Sequence, residues 1–120
     1  MPFGAVINLA NLTSGVGSRL DGPQQTAGGQ NSGYSVASAG DINGDGIDDL
    51  VIGAPGAEPG GQFIAGSSYV VFGTALGLPA QLDLSNLHGV NGFRSAGAAG
   101  GDQSGTIVAP AGDINGDGID

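Results

Sequence analysis

The sequence predicts an all-β fold assembled from tandem four-stranded units. Three observations carry that prediction: a long-range internal repeat, a series of short strand-like segments within each period, and the absence of any sustained helical period. The repeat is the strongest of the three. Residues 32–48 read SGYSVASAGDINGDGID and residues 104–120 read SGTIVAPAGDINGDGID, identical at 14 of 17 positions at an offset of 72. The exceptions are Tyr34/Thr106, Ser35/Ile107 and Ser38/Pro110. A second echo pairs INLANL at 7–12 with LDLSNL at 82–87, at an offset of 75; the Gln/Gly-rich stretch around 23–31 absorbs the difference.

The segments of one period follow in order. Residues 34–39, Tyr-Ser-Val-Ala-Ser-Ala, are small and partly alternating, as a crowded inner strand requires. Residues 50–54, Leu-Val-Ile-Gly-Ala, are continuously apolar, as a strand buried on both faces would be. A helix start is the alternative there, and Gly53 and Pro55 end it too soon. Residues 68–72, Ser-Tyr-Val-Val-Phe, combine β-branched and aromatic side chains suited to a pleated surface. Ile7–Ala10 and Leu82–Ser85 alternate strictly, the pattern of an outer strand with one wet face. The connectors at 55–66 and 73–80 carry Gly and Pro turn signals. Four strands per period of 72 residues, repeated in tandem, are the composition of propeller blades; a long-period β-solenoid is the alternative.

Composition bounds the function. With 26 Gly and 6 Pro among 120 residues the chain approaches a disordered composition, but the register of the repeat argues for structure. Eleven acidic residues face two basic ones, a formal charge of −9, so nucleic acid and anionic membranes are excluded as partners. Arg19 and Arg94 form no basic patch. The absence of Cys removes disulfides, thiolate catalysis and thiolate zinc sites. No apolar run reaches the roughly 20 residues of a membrane helix, and Met1-Pro2-Phe3 opens no secretory signal. His88, in LDLSNLHGVNG, and Glu58, in a Pro/Gly loop, read as solvated side chains, and no Ser/His/Asp or paired-Glu arrangement supports catalysis. Asn11-Leu12-Thr13 matches a short glycosylation pattern that recurs by chance.

Seven of the 11 acids lie in two copies of one segment, DINGDGIDD at 41–49 and DINGDGID at 113–120. Oxygen side chains fall at loop positions 1, 3, 5 and 9, with Gly at 4 and 6. That pattern suits a hard cation, since Ca2+ takes about six to eight oxygen ligands and short Asp or Asn side chains let a tight loop wrap it. Asp41, Asn43, Asp45 and Asp49 are the expected side-chain ligands and Ile47 the expected carbonyl ligand, with Ile42 anchoring the loop inward. Asp48 lies off that alternation and is expected to be solvated. Asn-Gly and Asp-Gly alone would also make a plain hairpin turn, but the carboxylates would then repel one another without gain. An EF-hand is rejected because position 12 is Ile52, within an apolar run.

From Ser32 through Gly53-Ala54-Pro55, with DINGDGIDD between, the chain resembles an FG-GAP repeat, the blade unit of the integrin α-chain propeller and of many bacterial surface and secreted proteins. The resemblance implies β-propeller blades of four antiparallel strands, here an incomplete fragment of under two blades. Residues 1–22 are then an outer strand and connection of a preceding blade, 23–91 a complete blade with its calcium loop at 41–49, and 92–120 the start of the next, cut short in its loop. It implicates Asp41, Asn43, Asp45, Ile47 and Asp49, and in the second copy Asp113, Asn115, Asp117 and Ile119, as calcium ligands. The family's Phe-Gly is replaced by Ser32-Gly33 and Ser104-Gly105, leaving its aromatic packing absent or supplied by Tyr34 and others. Phe3-Gly4 and Phe72-Gly73 precede outer strands and are not that motif. The function the resemblance implies is a calcium-stabilised, non-enzymatic module for binding a protein or carbohydrate ligand or for adhesion, extracellular or at the cell surface. Self-association through exposed strand edges is a further expectation. An accessory repeat domain of a secreted hydrolase or phospholipase, or a spacer in a long surface array, are the alternatives.

Overall fold

The computed structural model describes residues 18–22, 31–61 and 63–119. These described residues form six strands: β1 (Arg19–Asp21), β2 (Ser35–Gly40), β3 (Asp49–Ala54), β4 (Ser67–Val71), β5 (Gln81–Asp83) and β6 (Gly92–Ala96). Among the described residues there is no α-helix, only short 3-10 turns at Pro59–Gly61 and Leu84–Asn86. No helix among the described residues is long and apolar enough to cross a membrane. The main element is a four-stranded antiparallel sheet in the order β2-β3-β4-β6, the arrangement of a propeller blade.

The three expected strands at 34–39, 50–54 and 68–72 correspond to β2, β3 and β4. The acidic loop joins β2 to β3, and a register shift between Ser38 and Gly40 bends the end of β2 into it. The fourth strand departs from expectation. Leu82–Ser85 does not lie at the outer edge of this sheet; residues 81–83 pair in parallel with 19–21 in a separate two-stranded sheet. Asp83 is the reason the chain leaves extended geometry there. Its Oδ1 accepts from the Ser85 amide at 2.9 Å and from Ser85 Oγ at 2.6 Å, capping the turn at Leu84–Asn86. The alternation reflects burial of Leu82 and Leu84 beneath the larger sheet, not strand pairing with it. The edge of β4 is taken instead by β6, which lies beyond residue 91, and an edge-to-face contact of Phe72 with Phe93 at 6.0 Å supports it. The strand expected at Ile7–Ala10, Phe3-Gly4 and the pattern at Asn11 lie outside the described residues.

Pleating sends alternate residues to opposite faces, and the register places Ile52 beside Tyr69 and Leu50 beside Val71 on one face. That face holds the core, in which Ile52, Ala54, Ala57, Tyr69, Val71 and Leu84 pack together. Leu20, Leu50, Leu78, Leu82 and Leu87 close over it. The scarcity of aromatics in the sequence thus gives a core of aliphatic side chains around one tyrosine. Burial raises the pKa of the Tyr69 phenol against the opposing influence of Arg94.

On the opposite face the chain returns after β6. The amides of Gly101, Gln103 and Ser104 donate to the carbonyls of Phe63, Ile64 and Ala65 at 2.8, 3.0 and 2.9 Å. Ser35 Oγ donates to the Gly105 carbonyl at 3.0 Å. Ser104-Gly105 opens the second copy of the repeat, so this contact is a seam between the two copies. It lies directly over Gly53, where a Cβ would fall on the Gly105 carbonyl oxygen.

Candidate functional site

The acidic loop is organised by its own side chains. Asp41 Oδ1 accepts from the Asp45 amide at 2.9 Å and Asp41 Oδ2 from the Gly46 amide at 2.7 Å. Asn43 Oδ1 accepts a second, longer bond from the Asp45 amide at 3.3 Å, and Asp45 Oδ1 accepts from the Ile47 amide at 2.9 Å. Each carboxylate or carboxamide therefore folds the chain over itself, an Asx-turn pattern. Gly44 and Gly46 take φ of 77° and 85°, the left-handed region that glycine enters without strain. The Gly46 amide holds the Asp41 carboxyl below its ordinary pKa; desolvation opposes it, and the Asp45 and Gly44 amides add to the lowering.

The second copy takes the same shape. Asp113 Oδ1 and Asn115 Oδ1 accept from the Asp117 amide at 3.0 and 3.2 Å, Asp113 Oδ2 from the Gly118 amide at 2.7 Å, and Asp117 Oδ1 from the Ile119 amide at 2.9 Å. Gly116 and Gly118 have φ of 75° and 88°. The hydrogen bonds that shape this copy run between residues of the loop itself. The two loops are also neighbours: the Ile119 side chain packs on Gly44, 3.2 Å from where a Cβ would stand.

Asp49 has a different environment from the other acids. It is buried, with 3% of its surface exposed, at the start of β3. Its Oδ2 accepts from the Ile42 amide at 2.7 Å and its Oδ1 from the Gly73 amide at 2.9 Å. The carboxylate ties the beginning of the loop to the chain just past β4. Position 9 of the loop pattern marks Asp49 in the sequence, but its partner Gly73 lies 24 residues away and no spacing rule reaches it. Asp48 is exposed and Ile42 partly buried, whereas the counterpart of Ile42, Ile114, is 84% exposed. Tyr34 is 65% exposed and does not supply the aromatic packing missing at Ser32-Gly33. The Asn31–Tyr34 turn, with Tyr34 N donating to Asn31 O, leaves the ring outside the core.

Among the described residues no three or more His, Cys, Asp or Glu side chains are gathered as around a metal ion. The donors at 41, 43 and 45 are instead turned onto backbone amides of one loop. They still fit a hard cation in kind: every donor is oxygen, the loop contains no Lys or Arg, and each oxygen that accepts one amide keeps further acceptor capacity. His88 and Glu58 are exposed. A separate apolar cavity of about 220 Å³ lies between β1 and the sheet, lined by Leu20, Ser32, Gly33, Val36, Leu50 and Ile52. Among the described residues its lining holds one polar side chain, Ser32, and no titratable one.

Comparison with known proteins adds the family context. Residues 32–71 match the family model of the FG-GAP repeat. The chain is 48% identical over 71 residues to a phosphatidylinositol-glycan-specific phospholipase D of Rattus norvegicus, covering 57% of this chain and 8% of that protein. It is 44% identical over 71 residues to that of Bos taurus and 42% identical over 71 residues to that of Homo sapiens, with the same coverage. The chain thus spans about 8% of the length of the curated relatives it matches. No solved structure matches it.

Proposed function

We propose, from the premise that residues 32–71 are an FG-GAP repeat, that the chain is a calcium-binding module of a β-propeller in which the ion is structural and the propeller surface binds a protein or carbohydrate ligand. The observation that carries this reading is the identity of the two acidic loops. The same residues fold the same way in both copies and present oxygen donors at positions 1, 3 and 5. Asp41, Asn43, Asp45, the Ile47 carbonyl and Asp49 would hold the ion in the first loop, and Asp113, Asn115, Asp117 and the Ile119 carbonyl in the second. When bound, calcium supplies positive charge that offsets the repulsion among these carboxylates and so stabilises the hairpin between β2 and β3. An extracellular or cell-surface setting, where calcium is abundant, accompanies this reading. So does self-association through β2 and β6, each of which is paired on one side only within the sheet.

Titration of Ca2+ while following thermal unfolding tests the proposal. At roughly 100 times its Kd, an ion that binds only the folded chain adds about 2.7 kcal/mol of stability, so the midpoint is expected to rise. Asp45→Ala is expected to remove most of the rise, and a folded sample whose midpoint ignores calcium would overturn the reading.

The phospholipase relatives favour a second reading, in which this repeat is an accessory domain of a secreted enzyme. A catalytic domain elsewhere in the full-length open reading frame would decide for it.

A further inference from the structure

We propose that Asn43 and Asn115 are sites of spontaneous deamidation, whereas Asn91, the remaining asparagine followed by glycine, is protected by the fold. The chain contains three Asn-Gly pairs, at 43–44, 91–92 and 115–116. In such a pair the backbone nitrogen of glycine, having lost its proton, attacks the asparagine Cγ. The new N–Cγ bond closes a five-membered succinimide, and the carboxamide nitrogen leaves as ammonia with the proton. Water then adds to either carbonyl and opens the ring to aspartate or isoaspartate. One water is consumed and one ammonia released, with no oxidant or reductant. Glycine favours the step because it places no side chain beside the attacking nitrogen, and the closure needs a main chain free to rotate and a carboxamide free to turn.

The two loops meet those conditions. Asn43, Gly44, Asn115 and Gly116 are exposed; no atom lies within 4 Å of where a Gly116 Cβ would stand, and at Gly44 only the end of the flexible Ile119 side chain comes that near. The Asn43 carboxamide is held only by bonds of 3.3 Å within its own loop, beyond the usual N–H···O range. The Asp45 amide that touches Asn43 Oδ1 makes its shorter bond, 2.9 Å, to Asp41. It nonetheless points a donor at the oxygen on which negative charge develops during attack, as a weak oxyanion contact does. Asn115 stands in the same relation to Asp117, at 3.2 Å, with Asp113 again the closer partner at 3.0 Å.

Asn91 meets none of them. Its Oδ1 accepts from the His88 amide at 3.0 Å, within the usual range, although its Nδ2, 3.4 Å from the Asn86 carbonyl, is held no more tightly than the Asn43 carboxamide. Its own carbonyl accepts from the Phe72 amide at 3.0 Å, and Gly92 is buried in β6 opposite Val71. Closing a succinimide there requires breaking into the sheet. In the loops, the product places either a new carboxylate at position 3 or an isoaspartate whose extra main-chain methylene displaces the turns at Gly44 and Gly46. Age would therefore alter the acidic loops before it alters the sheet. This inference stands apart from the calcium reading.

The test is peptide mapping by mass spectrometry of the full chain incubated at mildly alkaline pH with a chelator, so that no bound cation enters the comparison. A parallel sample in urea supplies the rates without the fold. Asn43 and Asn115 are expected to convert roughly tenfold or more faster than Asn91 in buffer, with the three rates converging in urea as local protection is lost. Equal rates in buffer, or loop amides that persist while the urea sample converts, would overturn the proposal.

Discussion

The Asp49 carboxylate is buried and accepts one backbone amide from the loop it follows, Ile42, and one from the chain beyond β4, Gly73. Both amides would be stranded by its removal, and a buried donor left without a partner costs about 1–3 kcal/mol. Asp49→Ala is therefore expected to lower stability by about 2–4 kcal/mol in urea unfolding without added calcium, with Asp49→Asn, which keeps one acceptor oxygen, in between. A loss below about 0.5 kcal/mol, the scale of an ordinary surface substitution, would remove the clamp role. At this scale much of the site is legible in the sequence. Asp41, Asn43 and Asp45 bond to amides at most five residues away, and short-range bonds of this kind follow from residue type and spacing. The clamp to Gly73 is not legible, because it depends on how β3 and β4 pair.

Among the elements, β3 and β4 announce themselves by continuous apolar and β-branched composition, and β2 by its small alternating residues. Leu82–Ser85 misleads because burial of alternate leucines gives the same pattern whether the segment joins the sheet or lies across its face. Asp83 decides between them by capping a 3-10 turn, and β6 is harder to see because only Gly92 in it is buried. Leu84, 2% exposed and packed in the core with Tyr69 and Val71, measures the consequence. Leu84→Ala is expected to destabilise the fold by about 2–5 kcal/mol, the range for truncating a buried leucine. A urea midpoint checks this, and a loss well under that range would show that Leu84 does not belong to the core.

At the scale of the molecule, the seam between repeat copies rests on Gly53. Main chain of Gly105 occupies the space where any side chain at 53 would stand, and Ser35 Oγ, beside that same space, donates to the Gly105 carbonyl. Gly53→Ala is expected to cost about 1–3 kcal/mol through overpacking, and to raise hydrogen exchange at Ser104, whose amide is bonded to Ala65 across the seam. Unchanged exchange at Ser104 would show that the copies do not bear on each other there. The repeat, the all-β class and the shape of the acidic loops could be read from the chain alone, because each is carried by periodicity or by bonds between near neighbours. The identity of the fourth strand, the buried clamp at Asp49 and the seam over Gly53 required the tertiary structure, because each joins groups that only strand pairing and core packing bring into contact.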